Sequence, residues 1–113
     1  SESIFSRMDV QIKEILSKID KQKDKLIKES NIIEFRVYKS LISEFIQIIN
    51  SKLQLKEQVF FDSVGRQKVL KNIDNIDSKI KELQKEFIND NKNDINIVNL
   101  MEEIKGLVVD TII

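Results

Sequence analysis

The sequence predicts an all-α fold, a bundle of about four mostly antiparallel helices, and two observations lead to this prediction. The 113-residue chain has no proline and two glycines, so little in it interrupts a helix and few residues favour the turns between strands. Apolar residues also recur with alternating steps of four and three, which places them on one face of an α-helix. The clearest such stripe, in residues 65–87, consists of Val69, Ile73, Ile76, Ile80, Leu83 and Phe87.

Composition limits the classes of function. Charged residues make up 34% of the chain and balance to zero net charge, so we expect no general attraction to nucleic acid or anionic lipid. The chain lacks histidine and cysteine, which removes the commonest general base, the commonest metal ligands and the thiol nucleophile. We therefore expect neither an enzyme nor a bound cofactor. No apolar run approaches the roughly 18–20 residues that span a bilayer.

The length and the first residue of the chain bear on the number of domains and on the location that we predict. We expect one domain over residues 1–113, a length that suits a single hydrophobic core. The chain begins at Ser1 and not at a methionine, so we expect it to be a fragment or a processed product. The cytoplasm is the default location.

The first two helices are predicted at about residues 4–29 and 32–56. The polar stretch 20–25 indicates a solvated end of the first helix. Asn31 and Glu34 have capping-box spacing, in which the Asn side chain accepts a backbone amide and the Glu reaches back. The stripe of the first helix consists of Met8, Ile12, Ile15, Ile19 and Leu26, widened by Phe5 and Leu16.

The second helix has a wider apolar face than the others, which predicts a central position with two or more neighbours. Tyr38 lies on this face, and we interpret it as a core ring with its hydroxyl at the boundary. The face consists of Phe35, Tyr38, Leu41, Ile42, Phe45, Ile48, Ile49 and Leu53.

The third and fourth helices are predicted at about residues 64–89 and 95–110. Residues 57–64 interrupt the pattern, and we expect Val59-Phe60-Phe61 to fold onto the bundle end as a hydrophobic staple. Asp62 or Ser63 would cap the third helix, and Asn93 or Asp94 the fourth. The short links favour antiparallel neighbours. The fourth stripe consists of Ile97, Leu100, Met101, Ile104, Leu107 and Val108.

Gly106 lies inside the fourth helix, where glycine costs about 0.5–1 kcal/mol relative to alanine. We interpret it as the site of close approach of a neighbouring helix.

Three sequence blocks, taken in order, resemble the YaaR family of small bacterial proteins. They are Tyr38-Lys39-x-Leu41-Ile42-x-x-Phe45-Ile46, Gly65-Arg66-x-Lys68-Val69-x-Lys71-x-Ile73-x-x-Ile76-Asp77, and Glu103-Ile104-Lys105-Gly106-Leu107-Val108-x-Asp110. The resemblance covers roughly Asn31 to the C-terminus. It implies an all-helical bacterial protein and no particular activity, so no catalytic residue is carried over. Similar sequences have more basic residues before the Gly-Arg pair, where this chain has Asp62-Ser63-Val64.

Arg66, Lys68 and Lys71 at the start of the third helix form a possible anion-binding cluster. Exposed amides at a helix N-terminus favour anions, and three cations could hold a phosphate or a nucleic-acid backbone. Nearby Asp62 and the absence of a glycine-rich phosphate loop argue against it. A solvated or internally paired cluster is the simpler reading.

Carboxylate pairs suggest a second possibility, a metal site in the bundle. Asp74 and Asp77 lie three residues apart on the third helix, and Glu102-Glu103 lies on the fourth. Di-metal bundles pair such carboxylates with histidine, which this chain lacks, and the acids flank the stripes instead of interrupting them. We therefore expect no metal.

A surplus of apolar residues suggests the third possibility, a protein-interaction surface. Val109, Ile112 and Ile113 widen the fourth stripe so far that one groove would not cover them all, and exposed apolar patches usually mark contacts. Leu70, Ile88 and Ile27 also lie off their stripes. Completion of a single core is the competing interpretation. The sequence thus favours a non-enzymatic bacterial helical protein that binds a protein partner or forms a homo-oligomer, with anion or nucleic-acid binding at Gly65-Arg66 as the alternative.

Overall fold

A computed structural model describes residues 3–60, 65–89 and 91–112, and it confirms the predicted all-α fold. Within these ranges the backbone forms four helices and no strand. They are α1 (Ile4–Glu29), α2 (Ile32–Phe60), α3 (Arg66–Ile88) and α4 (Asp94–Thr111). The bundle is elongated and flattened, with principal extents of 49 × 28 × 17 Å.

Two antiparallel helix hairpins face each other across the core. α1 packs mainly on α2, and α3 packs mainly on α4, with further contacts between α2 and α3 and between α1 and α4. Each helix therefore touches at least two others, so the number of its neighbours does not set α2 apart. α2 does meet two neighbours, as its wide face predicted, and it contributes the three largest fully buried side chains, Tyr38, Phe35 and Phe45.

The predicted stripes supply the core, although four of their members, Met8, Leu41, Ile48 and Leu107, are only half-buried. All six stripe residues of α3 are buried, and the ring of Phe87 stacks on Phe35 of α2 with centroids 5.4 Å apart. Each such side chain contributes about 1.5–3 kcal/mol when fully buried. The remaining buried apolar residues are Ile12, Ile15, Ile19, Leu26, Tyr38, Ile42, Phe45, Ile49, Leu53, Ile97, Leu100, Met101, Ile104 and Val108.

Of the two hydrogen bonds predicted for the capping box of α2, only the one accepted by Asn31 forms as predicted. The Asn31 side-chain oxygen accepts the Glu34 backbone amide at 2.9 Å. The Glu34 side chain forms a different contact from the predicted one: its Oε2 accepts a hydrogen bond from Gln22 at 3.0 Å and lies 3.5 Å from the Lys25 ammonium. The acid of the capping box thus joins α2 to α1, because the antiparallel neighbour offers donors at that height.

α2 continues to Phe60, so the prediction that it ends near Lys56 is wrong. The segment contains no helix breaker, and the Phe60 ring stacks on Phe5 of α1 at 5.8 Å between centroids. Val59 and Phe60 belong to the helix and remain largely exposed, so the contact of Phe60 with Phe5 takes the place of the predicted staple. Phe61 lies outside the described residues.

The first residues of α3 and α4 have different caps. Asp62 and Ser63, which the sequence predicted as caps of α3, lie outside the described residues; Gly65 occupies the N-cap position with φ of 86°, a left-handed conformation that suits glycine. Asn93 caps α4 as predicted, because its side chain accepts the Asn96 amide at 3.0 Å.

A buried lysine joins α1 to α4. Lys23 lies on the α1 stripe between Ile19 and Leu26, and its side chain is only 10% exposed. Its ammonium donates to the Glu102 carboxylate, whose side chain is 60% exposed. The interpretation of residues 20–25 as a solvated helix end is therefore wrong at Lys23, which is buried and whose ammonium pairs with a carboxylate of α4.

No other helix packs closely against Gly106 in the described residues, so the prediction of a close approach there is wrong. A Cβ placed on Gly106 would meet no atom within 4 Å, and the residue is exposed. It borders a groove of about 640 Å³ between α3 and α4, whose walls include Ser78 and Leu107. The helix thus retains the conformational cost of glycine with no compensating contact among the described residues.

We expect Gly106→Ala to stabilise the protein by about 0.5–1 kcal/mol, because alanine has the higher helix propensity and the added methyl group enters open space. Urea denaturation measures the change as a higher midpoint with an unchanged slope. A destabilised variant would contradict the open environment of this glycine.

We expect Lys23→Met and Glu102→Gln to have different effects on thermal unfolding. Methionine removes the buried charge and fits the apolar stripe, so Lys23→Met should be neutral or stabilising, whereas Glu102→Gln leaves a buried ammonium without its counter-charge and should destabilise. Glu29→Gln, at an exposed carboxylate, is the matched control. Equal melting temperatures for all three variants would show that the pair has no structural role.

We expect stability to fall at acidic pH. Hydrogen bonds from Lys52 to Asp9 and from Lys23 to Glu102 lower the pKa of each carboxyl, and the Asn93 amide with the Asn96 side chain lowers the pKa of Glu86. Groups with a lowered folded pKa stabilise the protein above their ordinary values, 3.8 for Asp and 4.5 for Glu, and this contribution is lost as pH falls through the folded pKa.

The melting temperature should therefore be nearly constant from neutral pH to about 5 and decrease below about 4.5. Glu86→Gln should make the decrease shallower, while Glu29→Gln should leave it unchanged. A melting temperature that rises on acidification would contradict the assignment.

Candidate protein interaction site

The C-terminal part of α4 has apolar side chains that the bundle leaves exposed. Val109 is 55% exposed and Ile112 is 40% exposed, although Val108 and Thr111 beside them are buried. The helix therefore turns one face to the core and leaves a second apolar face in solvent. Ile113, the third residue of the sequence-predicted surface, lies outside the described residues.

The off-stripe residues named from the sequence are distributed over the molecule. Ile27 on α1 and Ile88 on α3 are both exposed, whereas Leu70 is half-buried against the bundle. Isolated exposed apolar side chains are ordinary on protein surfaces. The face of α4 differs in extent, because four exposed apolar residues lie along one side of this 18-residue helix, Ile95, Val98, Val109 and Ile112, whereas the exposed pair Ile33 and Val37 covers only the start of α2.

The three cations of the predicted anion cluster do not converge. The Arg66 guanidinium points to α2, where its Nη1 atom lies 3.0 and 3.3 Å from the two carboxylate oxygens of Glu57. Lys68 and Lys71 are exposed. Residues two apart on a helix point to different sides, so Arg66 and Lys68 do not share a face. This geometry favours the internally paired reading of the cluster.

The carboxylates named from the sequence also lie apart. Asp74 and Asp77 are exposed on α3, while Glu102 pairs with Lys23. Glu103 lies 3.0 Å from the Lys79 ammonium, an ion pair that raises the pKa of that lysine. Within the described residues no three Asp, Glu, His or Cys side chains are grouped closely enough to hold a metal ion.

A small cavity of about 90 Å³ lies between α1, α2 and α4, and its walls include Tyr38, Lys23 and Val109. Burial, together with the negative charges of Asp20 and Glu102, raises the pKa of Tyr38. Tyr38 is thus a buried, neutral core ring as the sequence predicted. The cavity is smaller than the roughly 300 Å³ at which small-molecule sites begin.

Sequence reasoning missed the role of Lys23 and Glu102. The clue was present, because Lys23 falls on the stripe position between Ile19 and Leu26 where an apolar residue is expected. Its partner on α4 was not accessible to sequence reasoning, since the two residues lie 79 positions apart in the chain.

Of the helices in the described ranges, none has the length and apolarity that crossing a bilayer requires.

Comparison with known proteins finds relatives without an assigned role. YaaR of Bacillus subtilis (strain 168), named as an uncharacterized protein, is 28% identical over 101 residues, which cover 88% of this chain and 69% of YaaR. A crystal structure of the uncharacterized protein BH1478 from Bacillus halodurans superposes with a TM-score of 0.79 at 30% identity. The superposition covers 93% of this chain and 87% of BH1478.

The superposition shows that BH1478 has the same helical fold, and the sequence match to YaaR agrees with the resemblance seen in the sequence blocks. The sequence profile of one family, described as protein of unknown function (DUF327), matches residues 3–112. The match extends over nearly the whole chain. The chain is a member of this YaaR-like DUF327 family.

Proposed function

We propose that this chain is a non-enzymatic interaction protein of the bacterial cytoplasm, which binds a protein partner or itself through the exposed face of α4. The observation that carries the proposal is the exposure of Val109 and Ile112 on a helix whose other face builds the core. Exposed apolar surface that follows one element usually marks a contact with another protein. Among the described residues, this exposed apolar surface is better defined than any group of side chains suited to catalysis.

Two further observations support a binding role over a catalytic one. The larger groove, between α3 and α4, is lined mainly by polar and charged side chains such as Asn75, Lys79 and Glu82. The enclosed cavity beside Tyr38 holds only about 90 Å³. The groove is wide open to solvent and the cavity is too small, so neither combines the size and the enclosure that are typical of small-molecule sites.

Replacing Val109 and Ile112 together by serine should weaken binding without unfolding the bundle, because both side chains are exposed and surface substitutions usually change stability by less than about 0.5 kcal/mol. The measurement is recovery of partners by full-length protein from its native host, with light scattering for self-association. Ile33→Ser/Val37→Ser, an exposed apolar pair on α2, is the matched control.

Unchanged binding by the α4 variant, with normal circular dichroism, would reject this surface. A salt titration separates the anion-binding alternative. Contacts with a phosphate backbone weaken steeply as salt rises, whereas an apolar contact does not. Binding that falls steeply with salt and with Lys68→Ala/Lys71→Ala would favour the alternative.

A further inference from the structure

α4 carries a second row of side chains in addition to its core stripe, and every member of this row is exposed. The steps along it alternate between three and four residues, the spacing of the a and d positions of a coiled coil. Besides Val109 and Ile112, the row contains Ile95, which is 76% exposed, and Val98, which is 36% exposed. The outer row, as we name it, consists of Ile95, Val98, Glu102, Lys105, Val109 and Ile112.

The outer row has nearly the same chemistry when it is read from either end. Isoleucine stands at both ends, valine stands next to each isoleucine, and two opposite charges occupy the centre. An antiparallel copy related by a two-fold axis between residues 102 and 105 would therefore make three kinds of matched contact. They are Ile95 with Ile112, Val98 with Val109, and Glu102 with Lys105 of the other copy.

We propose that the occupant of the exposed face is a second copy of this chain, held by an antiparallel, two-fold symmetric contact between the two α4 helices. The inference rests on the proposed function and names its partner. A two-fold interface uses the same patch on both subunits, so the patch must complement itself, and the outer row meets this condition.

The central charges fix the direction of the contact. In a parallel, in-register pair the two Glu102 side chains would face each other, as would the two Lys105 side chains, and like charges across a helix pair are unfavourable. In the antiparallel pair each glutamate meets a lysine.

Both charged side chains have the exposure that this contact needs. Lys23 binds only one oxygen of Glu102, Oε1, and most of that carboxylate side chain is exposed. The Lys105 ammonium lies 4.0 Å from Asp20, and its side chain is about half exposed. Each group can therefore reach across an interface while its contact with α1 is kept.

Gly106 borders the outer row, and the open space above its Cα gives a second helix room to approach. α4 has 18 residues, a length of about 27 Å. A contact between two helices of this length belongs to the small interfaces, below roughly 1,200 Å² in total, which are weak. The dimer should accordingly form at high protein concentration and dissociate on dilution.

Charge exchange at the two valines tests the contact. Val98→Lys/Val109→Lys places lysines opposite each other across the axis, and Val98→Glu/Val109→Glu places glutamates opposite each other. Each variant alone should associate at least about tenfold more weakly than the wild type. An equimolar mixture of the two should recover association as a heterodimer. Sedimentation over low-micromolar to near-millimolar concentrations measures all four samples.

The control is Ile33→Lys/Val37→Lys, which changes an exposed pair on α2 and should leave association unchanged. Circular dichroism must show that every variant keeps the helical fold. Recovery on mixing supports the contact, since an apolar surface that binds elsewhere would not be restored by an opposite charge at these positions.

Engineered cysteines test the register, because the chain contains no cysteine of its own. Residues 98 and 109 lie 11 positions apart, about 16 Å along α4. A disulfide requires Cα atoms within about 7 Å. A mixture of Val98→Cys and Val109→Cys proteins should therefore cross-link between unlike chains, while either protein alone should cross-link poorly.

The possible failures are distinguishable. A wild type that associates, with neither recovery on mixing nor unlike-chain cross-linking, would overturn the α4 contact and leave self-association through another surface. A wild type that stays strictly monomeric at the highest concentration would overturn the second copy as occupant. In that case the partner-recovery experiment alone would decide whether the exposed face of α4 has a binding function.

Discussion

Four apolar helix faces must be buried against one another in this chain, and the large side chains of α2 determine how closely the helices pack. Tyr38, Phe35 and Phe45 are almost completely buried, and Phe35 also stacks on Phe87 of α3. Protein interiors are close-packed, so these rings fix how near the surrounding helices can come. The narrow stripe of α3 and the core stripe of α4 then fill the space that remains.

Charged residues at the edge of the core form ion pairs between neighbouring helices. Lys23 on α1 pairs with Glu102 on α4, and Lys52 on α2 donates to Asp9 on α1 at 2.7 Å. Both lysines are buried along their stems, so a shift of one helix by a turn would separate each from its partner. Removing one partner of such a pair leaves a buried charge unpaired, which costs more stability than the intact pair contributes.

α4 contributes differently from the other helices, because it carries two rows of side chains at coiled-coil spacing. One row builds the core, and the other contains exposed apolar residues around a central pair of opposite charges. A helix that is apolar on two sides is expected to have partners on two sides. The proposed binding role rests on this property of α4.

The sequence alone determined the helical class, most of the four core stripes and the Asn31 cap, and it limited the cap of α4 to Asn93 or Asp94, because these features depend on residues close together in the chain. The family was recognised from three blocks of sequence, which needs no tertiary structure. Only the tertiary structure decided the role of Lys23, the pairing of Arg66 with Glu57 and the open space around Gly106. The first two depend on which helix lies opposite, and the sequence predicted the wrong environment for Gly106 because helix propensity says nothing about neighbours. For the same reason the exposure of Val109 could be suspected from the surplus of apolar residues, but it was decided by how much of α4 the other helices cover.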